Sequence, residues 1–302
     1  MVGNNNTIVE AEEGFYFPRV GCPIAVRRID QDQGVSHKHD LTSVSHFHDF
    51  AELVIINHGI GTQVIDTKKY VVKAGDVFLI QGKSVHSFIE RHNLKIVNVM
   101  FAPNKLPLPL HWLRRLNGYN ILFELEPSLR TDETFAHRLR LSALNLTRVN
   151  HIVDQLSDEL QSGQDGCELG AYQKLLELII VISRHYDESS RSMNISSLRI
   201  GKVIAKIETD FAHHWQLKDL AKIAYVSPNT LMRYFRKIEK CSPLEYLKRI
   251  RLYHAALLLE KGTDPISVVS ERCGFSDSNY FSYAFKKYYG ISPRCFRNRT
   301  EI

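Results

Sequence analysis

An internal repeat in the last third of the chain restricts its fold more than any other feature of the sequence. The two copies are VSPNTLMRYFRKIEKCSP at 226–243 and FSDSNYFSYAFKKYYGISP at 275–293. Each copy has a phenylalanine, Phe235 or Phe285, eight residues before a proline that follows a serine. A short run with helical periodicity precedes each copy. The repeat therefore predicts two helix-turn-helix motifs in one helical domain.

Residues at the ends of these segments predict where the helices begin and what joins the two copies. We expect Ser227 and Ser276 to be N-caps, because a serine hydroxyl accepts hydrogen bonds from the free amides of a first turn. A third helix is predicted from Pro243 to a C-cap at Gly262. About 18 residues at 1.5 Å each give a rod of about 27 Å. Adjacent major grooves of B-DNA are about 34 Å apart, so this rod suits two recognition helices on one DNA face.

Charge is distributed unevenly along the chain. From Ile195 to the end there are 19 lysines and arginines against 10 acidic residues, whereas the first 194 residues have 20 against 23. A basic domain neutralises phosphates and steers association with nucleic acid. A basic, solvated surface would have the same composition, so charge alone leaves both interpretations open.

The first half of the chain has the pattern of a β-rich domain. From about 44 to 101, short β-branched and aromatic runs alternate with turn signals such as GIG, TKK and QGK, which predicts an antiparallel sandwich or barrel. Helical periodicity follows over about 133–160, and a second helix is predicted over about 168–184. These two helices are either core packing or a dimer interface. The polar run DESSRSMNISS at 187–197 is the predicted linker.

The stretch SHFHDFAELVIIN at 45–57 raises the question of a metal site. His46, His48 and Glu52 all occupy even positions, so on an extended strand they point to the same face. Two imidazoles and a carboxylate can hold a divalent metal ion. They can equally hydrogen-bond a polar ligand, and the local sequence does not separate these alternatives.

The repeat and its joining helix resemble the DNA-binding domain of the AraC/XylS family of bacterial transcription regulators. GFSDSNYFSYAFKKYYGISPRCFR at 274–297 is similar to that family's signature over essentially its full length, and the resemblance covers about 195–300. The first half also resembles the family's cupin-like effector domain. Three segments are similar to the regulators that respond to L-rhamnose: HFHDFAELVIINHG, KAGDVFLIQGKSVHSF and NLKIVNVMF.

The resemblance implies specific DNA contacts. The base-contacting positions would be Asn229, Met232 and Arg233 in the first copy and Ser278, Asn279 and Tyr283 in the second. Arginine takes guanine bidentately and asparagine takes adenine, each with about 1–3 kcal/mol of discrimination. Met232 either contacts a thymine methyl or packs. Many relatives have arginine where this chain has Tyr283, so we expect weaker base readout or a phosphate contact there. Phosphate contacts are expected from Arg236, Lys237, Lys286, Lys287, Arg294 and Arg297.

The histidine-rich stretch also resembles the first cupin motif, whereas the second motif is only partly present. With His86, the chain has all the ligand types of a cupin metal site: His46, His48, Glu52 and His86. This nitrogen-rich set would suit manganese, iron, nickel or zinc. A metal-dependent cupin enzyme joined to a DNA-binding module is the alternative, but catalysis does not explain the basic repeat. We therefore predict no enzyme activity, no required cofactor, and a monosaccharide effector bound by these four residues.

Together these patterns predict an α+β chain with two domains. We expect a cupin-like barrel with dimerisation helices at 1–186, a linker at 187–197 and a double helix-turn-helix domain at 198–302. The expected protein is a homodimeric activator of carbohydrate-utilisation genes that binds double-stranded DNA and works with RNA polymerase. The five cysteines have no CxxC spacing, which favours reduced thiols over a zinc finger. No run is long and apolar enough to span a membrane, and we expect a cytoplasmic location.

Overall fold

The computed structural model has a mixed α+β fold made of two compact units. It describes residues 8–11, 13–17, 21–30, 44–129, 139–189 and 196–299. The first unit comprises 1–110 and 121–193, and the second comprises 111–120 and 194–302. The short segment 111–120 thus interrupts the first unit and packs in the second. Within the described ranges, no helix is both long and apolar enough to cross a membrane.

A sheet of eight strands forms the body of the first unit. The strands are β1 Val9–Glu10, β2 Ile24–Asp30, β3 His46–Phe47, β4 Ala51–Ile65, β5 Lys68–Lys73, β6 Asp76–Ile80, β7 His86–Phe101 and β8 Leu139–Arg140. Their order is β1-β3-β7-β4-β6-β8, with β2 also paired to β7 and β5 to β4. All pairs are antiparallel except β1 with β3. The long strands β4 and β7 therefore hold the other strands in place.

One face of this sheet is lined by aliphatic and aromatic side chains. The buried cluster consists of Ile29, Val54, Ile56, Ile65, Val72, Phe78, Ile80, Phe88, Leu94 and Ile96. Val54 and Ile56 of β4, like Phe78 and Ile80 of β6, are two residues apart, as expected for side chains on one face of a strand. Ile65 follows the register shifts in the middle of β4. The predicted antiparallel sheet is thus confirmed. The turn predicted at GIG, 59–61, is wrong, because these residues continue β4 and pair with β5 and β7 across a register shift.

The helices of the first unit flank this sheet. They are α1 Glu13–Tyr16, α4 Glu126–Leu129, α5 Ala143–Ser162 and α6 Cys167–Ser189, with a 3-10 turn at Pro103–Lys105 and a π-helical stretch at Asn120–Leu125. Helix α5 begins at Ser142, whose hydroxyl accepts from the Asn145 amide at 3.3 Å. It ends at Gly163, which has a φ of 65°. Helices α5 and α6 confirm the two helices predicted here, apart from their ends.

The predicted start of the first helix near 133 is wrong for the residues that the structure describes. Leu139–Arg140 forms strand β8, which pairs with β6. Leu139 is buried, and the Arg140 guanidinium donates to the buried Asp76 carboxylate at 2.7 and 3.1 Å. These tertiary contacts hold the segment extended, and helical periodicity alone did not reveal them. Residues 130–138 lie outside the described ranges.

Seven helices and the segment 111–120 form the second unit. The helices are α7 Ser196–Thr209, α8 Leu217–Ala224, α9 Pro228–Ile238, α10 Pro243–Lys261, α11 Ile266–Arg272, α12 Ser278–Tyr289 and α13 Pro293–Arg299. Within 111–120 lie the end of α2, Leu110–Leu113, and the short helix α3, Asn117–Tyr119. The predicted joining helix is confirmed as α10. Of the predicted linker, 187–189 belong to α6 and 196–197 to α7, while 190–195 lie outside the described ranges.

The N-caps of the repeat differ between its two copies. The Ser227 hydroxyl accepts from the Thr230 amide at 3.2 Å, which confirms its predicted role. The prediction for Ser276 is wrong, since the Asp277 carboxylate accepts from the amides of Asn279 and Tyr280 at 2.7 and 3.3 Å. The second copy has one more residue between its serine and its phenylalanine than the first copy. Asp277, rather than Ser276, therefore directly precedes the helix.

Candidate effector site and nucleic-acid interface

Three strands bring the four predicted effector residues together in a cavity of the first unit. His46 on β3 pairs in register with His86, the first residue of β7. Glu52 lies near the start of β4, opposite Met100 of β7, and His48 follows β3. His48, Glu52 and His86 are buried, and His46 is half-buried. We refer to His46, His48, Glu52 and His86 as the histidine cluster.

Main-chain carbonyl groups fix the tautomer of each histidine in this cluster. The Nδ1 atoms lie close to carbonyl oxygens in three pairs: His46 with Val44 at 2.9 Å, His48 with Phe50 at 2.9 Å and His86 with Ser84 at 3.1 Å. A carbonyl oxygen only accepts, so each Nδ1 carries a proton and donates it. In a neutral imidazole the other nitrogen, Nε2, then has a free lone pair.

The Glu52 carboxylate lies where these lone pairs converge. Its Oε2 atom is 3.0 Å from Nε2 of His48 and 3.0 Å from Nε2 of His86. The Asn98 amide donates to Oε1 of the same carboxylate. Neutral histidines would turn two lone pairs toward a carboxylate oxygen, which is repulsive. The geometry therefore calls for a positive charge here, either protons on the two imidazoles or a bound cation.

Burial and neighbouring charges set the protonation of the cluster. Burial alone would raise the pKa of Glu52, but the imidazoles of His48 and His86 outweigh it and hold that pKa far below its usual range. Burial, followed by the charge of His86, lowers the pKa of His46 to about 4. At neutral pH, Glu52 is thus ionised and His46 is neutral with a free Nε2 lone pair.

The histidine cluster has the donors and the dimensions of a metal site. His46, Glu52 and His86 each offer one ligand atom, and these atoms lie within 4.8 Å of one another. The free space between the side chains is about 20 Å³, close to one water-sized sphere. Histidines that ligate metals commonly donate their other ring proton to a carbonyl or carboxylate, which is the arrangement seen at all three imidazoles.

A second, larger cavity adjoins the histidine cluster. It measures about 170 Å³ and lies between β2 and α5, where Ser157 and Gln161 contribute polar groups. Tyr16 and Arg27 line both cavities. Tyr16 is buried and packs against Phe50, with 5.3 Å between ring centroids. Tyr16 and Arg27 are thus part of the wall of both cavities.

Sequence reasoning missed three residues of this site: Tyr16, Arg27 and Asn98. Asn98 was detectable, because it is the one polar residue in the apolar run IVNVMF and such a residue must find a partner when the strand is buried. Arg27 and Tyr16 gave no such signal. Their part in the site depends on contacts between segments far apart in the chain.

The predicted base-contacting residues lie on α9 and α12, each of which is the second helix of its pair, α8–α9 or α11–α12. On α9, Asn229 and Arg233 are exposed and Met232 is half-buried. On α12, Ser278, Asn279 and Tyr283 are exposed, with 65% of Tyr283 accessible. Buried residues occupy the opposite faces, among them Leu231 and Phe235 of α9 and Phe281 and Phe285 of α12. Both helices thus present the predicted residues outward.

The predicted phosphate-contacting residues have two kinds of environment. The exposed ones are Arg236, Lys237, Lys286, Lys287 and Arg294. Arg297 is half-buried, and its guanidinium donates to the carbonyl oxygen of Asp264 at 2.6 Å. That hydrogen bond joins α13 to the segment before α11. Arg297 thus has a structural contact that its sequence context did not indicate.

Comparison with known proteins gives the same two-part division. A family model described as an AraC-like ligand binding domain matches residues 36–179, and one described as a helix-turn-helix domain matches residues 220–299. A relative in Yersinia pestis, the HTH-type transcriptional activator RhaR, is 29% identical over 259 residues, or 85% of this chain and 86% of that protein. RhaR of Enterobacter is 28% identical over 93% of this chain and 99% of that protein. A DNA-binding transcriptional dual regulator of Escherichia coli K-12 has a crystal structure that is 30% identical, covers 33% of this chain and 96% of that one, and has a TM-score of 0.31.

Proposed function

The chain belongs to the AraC family of bacterial transcription regulators, and from that premise we propose that it is a DNA-binding activator controlled by a small effector. The observation that carries this proposal is the order of the two matched domains, which follows the division into a sheet unit and a helical unit. Relatives that span most of the chain are named transcriptional activators. An enzyme would leave the basic helical unit unexplained.

For DNA binding, we propose that α8–α9 and α11–α12 act as two helix-turn-helix motifs, with α9 and α12 in adjacent major grooves. Helix α10 has 19 residues, which at 1.5 Å each give about 28 Å. Exposed Asn229, Arg233 and Asn279 have the chemistry for adenine and guanine. The exposed lysines at the end of α12 are suited to phosphates, since charge rather than shape is what a phosphate requires.

For effector binding, we propose that the sheet closes into a cupin-like barrel and that the histidine cluster is its binding site. The effector we propose is a monosaccharide of the L-rhamnose type, because the strands around the cluster resemble regulators that respond to that sugar. A sugar ring is several times larger than the free space of about 20 Å³. Its entry would require Tyr16 and Arg27 to move toward the neighbouring cavity of about 170 Å³.

A divalent metal ion is the second candidate for this site. The repulsive lone pairs around Glu52 and the water-sized space favour it. His46, Glu52 and His86 would hold the ion, and His48 would support the carboxylate. A bound cation would supply the positive charge that the cluster otherwise obtains only from protons.

We propose that the protein acts in the cytoplasm as a homodimer that recruits RNA polymerase. Helices α5 and α6 expose Leu144 and Leu169, which are 79% and 71% accessible. Exposed leucines on paired helices are suited to contact with a second copy. Two linked DNA-binding units gain affinity through effective concentration. Gel filtration and crosslinking with and without DNA test this, and monomers alone at micromolar concentration would contradict it.

A thermal-shift screen of monosaccharides tests the effector proposal. A ligand at 100 times its Kd should stabilise the first unit by about 2.7 kcal/mol. The screen should include L-rhamnose and arabinose, with and without EDTA, and use His86→Ala and His58→Ala variants. His58 is an exposed histidine on β4 and serves as the matched control. A sugar shift that survives EDTA but is lost in His86→Ala supports a sugar site.

The same screen separates the metal candidate from the sugar candidate. A melting temperature that falls with EDTA and recovers with zinc or manganese, in the wild type and His58→Ala only, supports a metal site. No shift with any sugar or metal would contradict both assignments of the cluster. The proposed DNA-binding function would be unaffected by that outcome.

A further inference from the structure

Residues 111–120 come from the first half of the chain but pack in the second unit. The chain leaves the first unit after Leu110 and returns to it at Ile121. Inside this segment, Leu113, Tyr119 and Asn120 are buried, with Asn120 fully inaccessible. The segment is therefore part of the core of the helical unit, and both of its ends are covalently continuous with the sheet unit.

Asn120 forms a hydrogen bond that links the segment to α7. Its amide nitrogen donates to the carbonyl oxygen of Arg114 at 2.7 Å and to that of Gly201 on α7 at 3.1 Å. A buried amide that loses both acceptors would remain unsatisfied, which costs about 1–3 kcal/mol. These two hydrogen bonds therefore give the segment one preferred position against α7.

Arg114 reaches the end of the first recognition helix. One of its terminal nitrogens lies 3.6 Å from the carboxylate of Glu239, the C-cap of α9. The other donates to the hydroxyl of Tyr246 on α10 at 3.3 Å. That hydroxyl in turn donates to the fully buried carboxylate of Glu208 on α7. One guanidinium thus connects to α9, α10 and, through Tyr246, α7.

His111 adds a contact further along α10. Its Nδ1 atom lies 3.2 Å from the hydroxyl of Tyr253. The contacts described here reach α7, the end of α9 and two positions on α10. The contact with Glu239 lies at the end of α9 itself.

We propose that residues 111–120 are a regulatory arm that sets the position of α9 and transmits the effector state of the sheet unit to it. The inference rests on the proposed function. A displacement of Leu110 or Ile121 in the sheet unit shifts a segment whose buried contacts end at the C-cap of α9. By linkage, DNA bound at α9 must then affect the sheet unit as much as the effector affects DNA binding. Because Arg114 faces the C-cap of α9, we expect the arm to act first on the DNA contact made by α9.

Hydrogen exchange of the full chain tests the arm without knowledge of the effector. Arg114→Ala removes the connection, Arg114→Gln keeps a shorter donor, and Lys69→Ala removes an exposed charge on β5 as the matched control. We expect exchange in α9 to rise about tenfold in Arg114→Ala, less in Arg114→Gln and not in Lys69→Ala. Exchange in α12 should not change. Unchanged α9 exchange, or an equal rise in α9 and α12, would overturn the proposal.

A second experiment tests transmission. Duplexes selected from a random pool by the wild-type chain serve as the DNA probe. In the wild type, DNA should slow exchange at 110–121, and the same DNA should leave 110–121 unchanged in Arg114→Ala. Equal protection in both proteins would overturn the regulatory role. Where L-rhamnose alters the DNA affinity of the wild type, the ratio of the DNA affinities with and without the sugar should approach one in Arg114→Ala. No sugar response in the wild type would count against the proposed effector only, because the exchange result still decides the arm.

Discussion

The two helix pairs of the second unit derive from one repeat, but they are stabilised differently. In the first pair, the turn passes through Tyr225, which has a φ of 51° and is 79% exposed. In the second pair, the equivalent residue is Gly274, with a φ of 79°. A Cβ atom at Gly274 would lie 2.4 Å from the carbonyl oxygen of Ala212. The first turn thus has room for a large side chain, whereas the second is closed by main chain.

The ends of α9 and α12 also differ. Helix α12 ends at Gly290, which lies in the left-handed region, and it packs on an aromatic core formed with neighbouring helices. That core includes Phe275, Phe281, Phe285 and, partly buried, Tyr289 and Phe296. Helix α9 ends at Glu239, which faces Arg114 from the distant segment 111–120. Helix α12 thus ends on a core of residues from α10 onward, while α9 ends against a residue contributed by the first half of the chain.

The largest expected effect comes from the core of the second pair. Phe285→Ala removes a fully buried ring, and we expect a loss of about 3–5 kcal/mol in the free energy of unfolding. Chemical denaturation of the full chain measures it. Tyr283→Ala, on the exposed face of the same helix, should cost less than about 0.5 kcal/mol. A similarly small loss of stability in both variants would contradict the assignment of Phe285 to the core of the second pair.

Substitutions at the turns test the difference between the pairs directly. We expect Gly274→Ala to cost about 3 kcal/mol, because backbone strain adds to the contact with Ala212. Gly290→Ala has a similar φ of 81° and nothing within 4 Å of the added carbon, so only strain of about 1 kcal/mol remains. Tyr225→Gly relieves the same strain in the first pair and should not destabilise. Thermal unfolding ranks the three, and equal costs at both glycines would contradict the close approach.

DNA readout should be stronger in the first pair than in the second. Arg233→Ala removes a donor suited to guanine, and we expect about 2 kcal/mol less discrimination at one base pair. Fluorescence anisotropy on selected and single-base-changed duplexes measures this. Tyr283→Ala should change discrimination little, and Lys286→Ala should reduce the slope of affinity against salt by about one unit at every sequence. If Tyr283→Ala lost more base discrimination than Arg233→Ala, the second pair would be the stronger reader of the two, contrary to this prediction.

The smallest expected effect is the part of the pH dependence that comes from His254, on α10. Burial, then the charges of Arg115 and His111, lowers the pKa of His254 to about 4, and its ring stacks on Phe211 at 3.9 Å. Because the unfolded pKa is about 6.5, the unfolded chain binds the extra proton between these values. The stabilising contribution is complete above about 6.5 and is lost as the pH falls toward 4.

Unfolding measured from pH 7 to pH 5 checks this sign. His254→Gln should reduce the dependence, with the part from His46 remaining, whereas His214→Gln, at an exposed histidine of the same unit, should leave it unchanged. A steeper loss in His254→Gln than in the wild type would contradict the assignment to this imidazole.

Local patterns explain what could be predicted from the sequence. The helical period and the Ser-Pro signal located α9 and α10, and β-branched apolar runs located most of β4 and β7, because each of these elements is long and rich in apolar residues. The histidine cluster was predictable because three of its members occupy even positions in one short stretch, and even positions share one face of an extended strand. The two-residue strand β8 and the cap at Asp277 were not predicted, since each depends on one or two contacts.

The segment 111–120 was the largest feature that sequence reasoning did not predict. Asn120 and Arg114 look like ordinary polar residues between two apolar regions. Their partners, Gly201, Glu239 and Tyr246, are at least 81 positions away. No local period records such contacts, and only the folded arrangement brings them together.

The carbonyl-bound rings of the histidine cluster have a consequence for binding kinetics and selectivity. Val44, Phe50 and Ser84 hold the three imidazoles through main-chain groups, so ring rotation is already restricted when the strands form. An ion or hydroxyl group bound here, as we propose, would meet imidazoles whose rotational entropy was lost during folding, and little more would be lost on association. Such a site would favour ligands that match the spacing of these nitrogen atoms over ligands that only carry the right charge.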